Sequence, residues 1–215
     1  MKAGGKFWAV MEKIADMVLL SIAWLLGCIP ILTIPLSTVA LYYTAAKCIR
    51  HNEGYLFREF WKAFRNNLKQ GLILGVIYAV IVGVLIGIRR YVDLVGISSD
   101  GLGGVYYVFV IVSVLVLSAM SFYLFPVIAR FNVTLFSALR LSVYLGCHNL
   151  GTMIPMLITL AAAIAFVYVL PFMILVVPGF YAYLMTKSVE KALRNYIRTL
   201  PDAEAHEGMW YMEET

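Results

Sequence analysis

The sequence predicts an all-α protein: a polytopic helical membrane protein with about five spans, the first broken by prolines, and interfacial amphipathic helices. Three observations carry this. Of 215 residues, 62% are hydrophobic and 13% charged, with a mean hydropathy of +0.87. A soluble fold of this length could not cover so much apolar surface, and the charged share is about half that of soluble domains. The apolar residues gather in runs at 17–46, 71–88, 105–125, 152–170 and 172–186, near the roughly 20 residues a spanning helix needs. The basic residues collect in the segments flanking those runs, which fits the positive-inside bias and anionic lipid headgroups. The net charge of +5 therefore points to membrane surface and not to nucleic acid.

Residues 1–200 read as a single helical membrane domain, and 201–215 (PDAEAHEGMWYMEET) as an acidic, mobile tail. A signal peptide fits poorly. Lys2, Lys6 and Lys13 are followed by an apolar run that is too long and lacks a clear cleavage site.

The first run contains CIPILTIPLST, residues 28–38. Pro30 and Pro35 cannot donate to the carbonyls of Leu26 and Ile31, so those carbonyls need other partners in hydrocarbon. Thr33, Ser37 and Thr38 lie close enough in sequence to supply hydroxyls. Two readings follow. A packing kink with small residues at a helix contact is preferred. A polar cavity would instead be lined by Pro30, Thr33, Pro35, Ser37, Thr38 and Tyr42.

The segment 55–70, YLFREFWKAFRNNLKQ, is the clearest amphipathic helix. Leu56, Phe57, Phe60, Trp61, Phe64 and Leu68 recur at helical spacing on one side, and Arg58, Lys62, Arg65 and Lys69 form a stripe on another. Such a helix lies among headgroups with its aromatics down. Glu59 is placed to pair with Lys62, and Asn66 and Asn67 to cap the helix or reach the broken first run. Residues 105–125 form the cleanest span. Segment 131–148 is a weaker amphipathic stretch, with Phe136, Leu139 and Val143 apolar and Arg140 basic. Pro171 separates the last two runs. Beyond them Lys187, Lys191, Arg194 and Arg198 repeat the intervals of the first basic stripe, with Val189, Leu193 and Ile197 on the apolar side. Both basic helices are candidate lipid-facing or partner-docking surfaces, Arg58, Glu59, Phe60, Lys62, Phe64, Arg65, Asn67 and Lys69 in the first. Each half of the chain also runs span, amphipathic segment, glycine, span, leading to Gly71 and then Gly151, which hints at duplication.

Lysine and arginine counts orient the chain. With a kinked first span, twelve lie inside and five outside; with a re-entrant first hairpin, fifteen and two. The charge rule prefers the hairpin, whereas the 30-residue length of the run suits a kinked span, which is the reading adopted. The C-terminus is cytoplasmic under both.

No reactive constellation converges. The apolar runs hold no ionisable residue away from their ends, which argues against a proton relay. GLGG at 101–104 lacks the rest of a phosphate loop and reads as an external turn. Cys28, Cys48 and Cys147, with His51, His148 and His206, show no disulfide or zinc spacing. No cofactor, metal or enzymatic activity is expected.

PILTIPLSTVALY at 30–42, followed by FWKAFRNNLKQG at 60–71, resembles the YesL-like family of bacterial integral membrane proteins. Its members carry a P-x-x-T segment running into A-L-Y, then an aromatic-rich F-x-x-x-F-x-x-N helix. The resemblance covers about residues 10 to 90, and Pro35 departs from it where glycine is more usual. The family's molecular activity is not established. Its association with carbohydrate-uptake ABC systems implies an accessory or assembly role in the bacterial cell membrane, with transporter subunits as partners. The alternative from a different class is a small-solute carrier or channel lined by the broken first helix.

Overall fold

The computed structural model describes residues 3–95, 102–131 and 133–198, most of which are helical, with no strand among them. The expected acidic tail lies outside the described residues, as does the first residue of the expected GLGG turn; the rest of that turn already belongs to a helix.

Helix α1 (Ala3–Gly27) and helix α2 (Ile34–Thr44) are joined by a 3-10 turn at Ile31–Thr33, and α2 runs on into a π-helical turn at Ala45–Arg50. The two helices are antiparallel. The Trp24 indole N–H donates to Thr38 Oγ1 at 3.3 Å. Gly27 faces Ser37, and Glu12 and Asp16 share one cleft with Cys48 and Asn52. The first apolar run is therefore a hairpin and not the single kinked span expected from its length. The prolines explain this. Pro30 sits in extended backbone (φ −77°, ψ 119°), which ends the helical path. Pro35 falls in the first turn of α2, where a missing N–H is harmless and the fixed φ favours helix initiation.

Helix α3 (Leu56–Asn66) packs back on α2: Phe60 and Ala63 lie buried in one cluster with Ala40, Leu41, Ala45 and Ile49. Helix α4 (Leu68–Val95) then approaches the hairpin so closely that a Cβ at Gly75 would overlap the Leu32 carbonyl oxygen. Helix α5 (Leu102–Arg130), helix α6 (Leu135–His148) and helix α7 (Leu150–Val169) follow the same plan. In both triplets a short helix folds onto the one before it and ends at an asparagine. Asn67 Nδ2 donates to Ala63 O at 2.9 Å, and Asn149 Nδ2 to Leu145 O at 3.0 Å. Each asparagine thus satisfies a terminal carbonyl of its own helix while the chain turns into the next.

Among the described residues, three stretches, Leu68–Tyr91, Gly104–Arg130 and Gly151–Val169, are long and apolar enough to cross a membrane, where the sequence leads one to expect about five. The first run is the hairpin. The last divides between a 3-10 turn (Pro171–Leu175) and the start of helix α8 (Val177–Ile197), whose second half is amphipathic. Helix α8 runs antiparallel to α1: Gly179 N donates to Ser21 Oγ at 2.8 Å, and Lys13 and Lys187 share one cleft.

Candidate functional site

The hairpin turn is closed by its own hydroxyl. Thr33 Oγ1 lies 2.7 Å from Gly27 O, at the end of the broken helix, and 2.6 Å from Pro30 O, which also accepts the Thr33 backbone N–H at 2.9 Å. Thr38 donates to Ile34 O at 2.8 Å, and Ser37 is buried against Gly27. The six candidate residues of the broken helix do not share one space. Pro30 is exposed at the turn, and Thr33 faces the turn's own backbone. Pro35 and Thr38 line a groove of about 330 Å³ whose walls are mainly apolar, with Tyr78, Leu117, Phe122 and Phe125 among them. Tyr42 points elsewhere, into a charged centre.

That centre is buried. Glu190 of α8 accepts a hydrogen bond from the Tyr42 hydroxyl at 2.7 Å, and its same oxygen, Oε1, pairs with the Arg130 guanidinium at the end of α5. The Arg130 and Glu190 side chains are 3% and 0% exposed. One turn before Glu190, Thr186 accepts a bond from Arg50 Nη1 at 3.4 Å. His51, just past α2, is held below its ordinary pKa by burial. Glu190 opposes that shift, and Arg130, Arg50 and Arg194 add to it. A buried pair returns little net stability, because desolvation offsets the attraction, but removing one partner costs about 3–5 kcal/mol. The arrangement joins the hairpin, α5 and α8 through one carboxylate.

The sequence reading missed this centre, although a signal was present. Glu190 lies three residues before Leu193 and seven before Ile197, so it shares the apolar face of α8. Arg130 similarly follows Tyr123 and Val127 at helical spacing, both fully buried.

Helix α3 divides its residues differently from the periodic pattern. Glu59, Phe60 and Ala63 turn inward, and Phe64 is half-buried. Phe57 and Trp61 remain exposed beside Arg58, Lys62, Arg65 and Lys69. Glu59 and Phe60 are therefore not docking residues. Glu59 pairs with Lys47 at 3.0 Å instead of Lys62, because it faces the π-helical turn after α2. Asn67 bonds its own helix and does not reach across to the first run. It lines a polar cleft of about 230 Å³ with Tyr43, Lys62, Asn66 and Arg130. On α8, Lys187, Lys191 and Arg198 are exposed and Arg194 half-buried.

On helix α6, Ala138, Ser142 and Leu145 are buried and Leu139 packs half-buried against the core, while Phe136 and Val143 face outward. The Arg140 guanidinium covers the Phe136 ring at 4.3 Å. Cys147 is exposed, and His148 stacks on Tyr144 with ring centroids 4.9 Å apart.

A family model described as "Protein of unknown function, DUF624" matches residues 17–87. The match covers the second half of α1, the turn, α2, α3 and most of α4, the part of the fold in which the proline hairpin, the basic–aromatic helix and the close Gly75 contact occur. No curated protein and no solved structure matches the chain.

Proposed function

We propose that this chain is a non-catalytic accessory or assembly component of an ABC-type carbohydrate-uptake system in the bacterial cytoplasmic membrane. The YesL-like resemblance suggests the system, and the match over residues 17–87 coincides with most of its extent. The observation that carries the reading is the division of charge. Glu190, Arg130, Glu59 and Lys47 pair within the fold, whereas Arg58, Lys62, Arg65, Lys187 and Lys191 remain exposed on helices pinned by their opposite faces. Rigid basic surfaces beside exposed aromatics suit the membrane interface and a partner seated there. With both ends of the hairpin on one side and α8 returning alongside α1, lysine and arginine divide fifteen to two, which supports a cytoplasmic C-terminus.

The test is capture of the full-length chain from its native membrane after crosslinking, with mass-spectrometric identification of transporter subunits. Recovery of carbohydrate permease subunits, reduced at least fivefold in Lys62→Glu/Arg65→Glu, is expected. No permease subunit recovered, with sugar uptake unchanged on deletion of the protein, would overturn the reading. The groove beside Pro35 and Thr38 supports the second reading, a carrier, and solute uptake by proteoliposomes containing this chain alone would favour it.

A further inference from the structure

Two cavities meet at Leu184 on α8. The first, of about 270 Å³, is lined by Lys13 of α1, Arg50 of the π-helical turn, and Tyr183, Leu184 and Lys187 of α8. Three cations from three separate elements face this space, and among the described residues no carboxylate lines it. The Arg50 guanidinium is steered by its bond to Thr186. Glu12 and Asp16 lie on the other flank of Lys13, in the cleft that includes Cys48 and Asn52.

The second cavity is an apolar groove of about 360 Å³ between α7 and α8, with Ala162, Phe166, Val177, Phe180 and Leu184 among its walls. Val177, Phe180, Leu184 and Lys187 follow one another at intervals of three and four, so they form a single stripe on α8. The stripe runs about 15 Å, from apolar groove to cationic cleft. Phe180 and Leu184 are 50% and 42% exposed.

We propose that this composite is a binding site for one anionic phospholipid, its phosphate held by Lys13, Arg50 and Lys187 and one acyl chain lying between α7 and α8. Cations gathered at the edge of an apolar region attract an anion, and a phosphate supplies both the charge and several acceptor oxygens. A free phosphate would fill the cationic cleft and leave the groove unused. A phospholipid matches both, in the order the stripe presents them. The inference is independent of any role in sugar uptake.

The experiment is native mass spectrometry of the full-length chain in detergent, titrated with phosphatidylglycerol, phosphatidylcholine or inorganic phosphate. Phosphatidylglycerol is expected to bind preferentially. Lys13→Gln/Lys187→Gln should weaken it about thirtyfold, taking each lysine at about 1 kcal/mol near a membrane surface. Ala162→Trp, which fills the groove without touching the cations, should also weaken it at least fivefold. Arg140→Gln, an exposed cation on α6 that lines neither cavity, should leave it unchanged. Equal binding of phosphatidylcholine, an effect below twofold in the Lys13/Lys187 variant, or an equal loss in the Arg140 variant would overturn the site. Displacement of the lipid by millimolar inorganic phosphate, with Ala162→Trp silent, would assign the cleft to free phosphate. Should the double variant not fold, Lys187→Gln alone and Ala162→Trp decide the question by the same criteria.

Discussion

Tyr42 and Glu190, 148 positions apart in sequence, are joined by a 2.7 Å hydrogen bond to the oxygen that also pairs with Arg130. The contact fastens α8 to the hairpin, and Arg130 extends it to the end of α5. Val127, Val189 and Leu193, on the same helices as Arg130 and Glu190, lie buried within one apolar core that also includes Tyr42. Water has little access to these charges, so each group depends on the others.

The three members therefore differ in what their removal costs. Tyr42→Phe deletes one hydrogen bond to a charged acceptor and should lower stability by about 1.5–3 kcal/mol. Glu190→Leu strands a buried guanidinium and should cost about 3–5 kcal/mol. Arg130→Met combined with Glu190→Leu removes both charges and should recover most of that loss. Denaturant unfolding in detergent measures all three. Single variants within 0.5 kcal/mol of the parent, a bound set well under the roughly 3 kcal/mol expected, would show that the centre does not hold the helices together.

The hairpin turn makes a narrower prediction. Thr33 brings one hydroxyl to two backbone carbonyls, at 2.7 and 2.6 Å, and the residue is 9% exposed. Thr33→Val keeps the shape and takes the hydroxyl donor from Gly27 O, while Pro30 O keeps the Thr33 backbone N–H, so stability should fall by about 1–3 kcal/mol. Thr33→Ser retains the hydroxyl and should restore most of it. The comparison, read by thermal unfolding, separates the hydrogen bond from the packing of the side chain. If Ser and Val behave alike, the hydroxyl is not what closes the turn.

The helical class was legible because the composition leaves a chain in hydrocarbon few ways to satisfy its backbone. The runs 71–88 and 105–125 sit inside α4 and α5, and 152–170 follows α7 to one residue past its end. The first run was harder. Its length allowed a span, and Pro35 reads equally well as a break or as the first turn of a new helix. Only the antiparallel contacts of α1 with α2 decide between them. Periodicity also left open which apolar side of a short helix faces protein. Phe60 turns inward and Phe57 outward, although both belong to the aromatic side of α3, because the small Ala40 and Ala45 make room for only part of that side. Glu190 escaped notice for the opposite reason. Its neighbours Lys187 and Lys191 are exposed, and a glutamate between them resembles surface charge until Tyr42 and Arg130, distant in sequence, are brought against it.

Close backbone approach supplies the last prediction. A Cβ at Gly75 would overlap the carbonyl oxygen of Leu32, and one at Gly179 the carbonyl oxygen of Met17. Both obstacles are backbone atoms, which cannot swing aside as a side chain can. Gly75→Ala should push α4 off the hairpin turn, and Gly179→Ala should separate α8 from α1; forcing a methyl into a packed contact costs about 1–3 kcal/mol. Gly83 lies on the same helix as Gly75 with nothing within 4 Å of an added Cβ. Gly83→Ala should therefore be neutral or stabilising by up to about 1 kcal/mol, the intrinsic helical preference for alanine. The three variants share the same chemical change, so differences in helix propensity cancel between them. Losses at positions 75 and 179 with none at 83, measured by thermal unfolding, would establish that α4 and α8 touch the hairpin backbone to backbone. Equal behaviour at all three would mean that neither contact is as close as the fold requires.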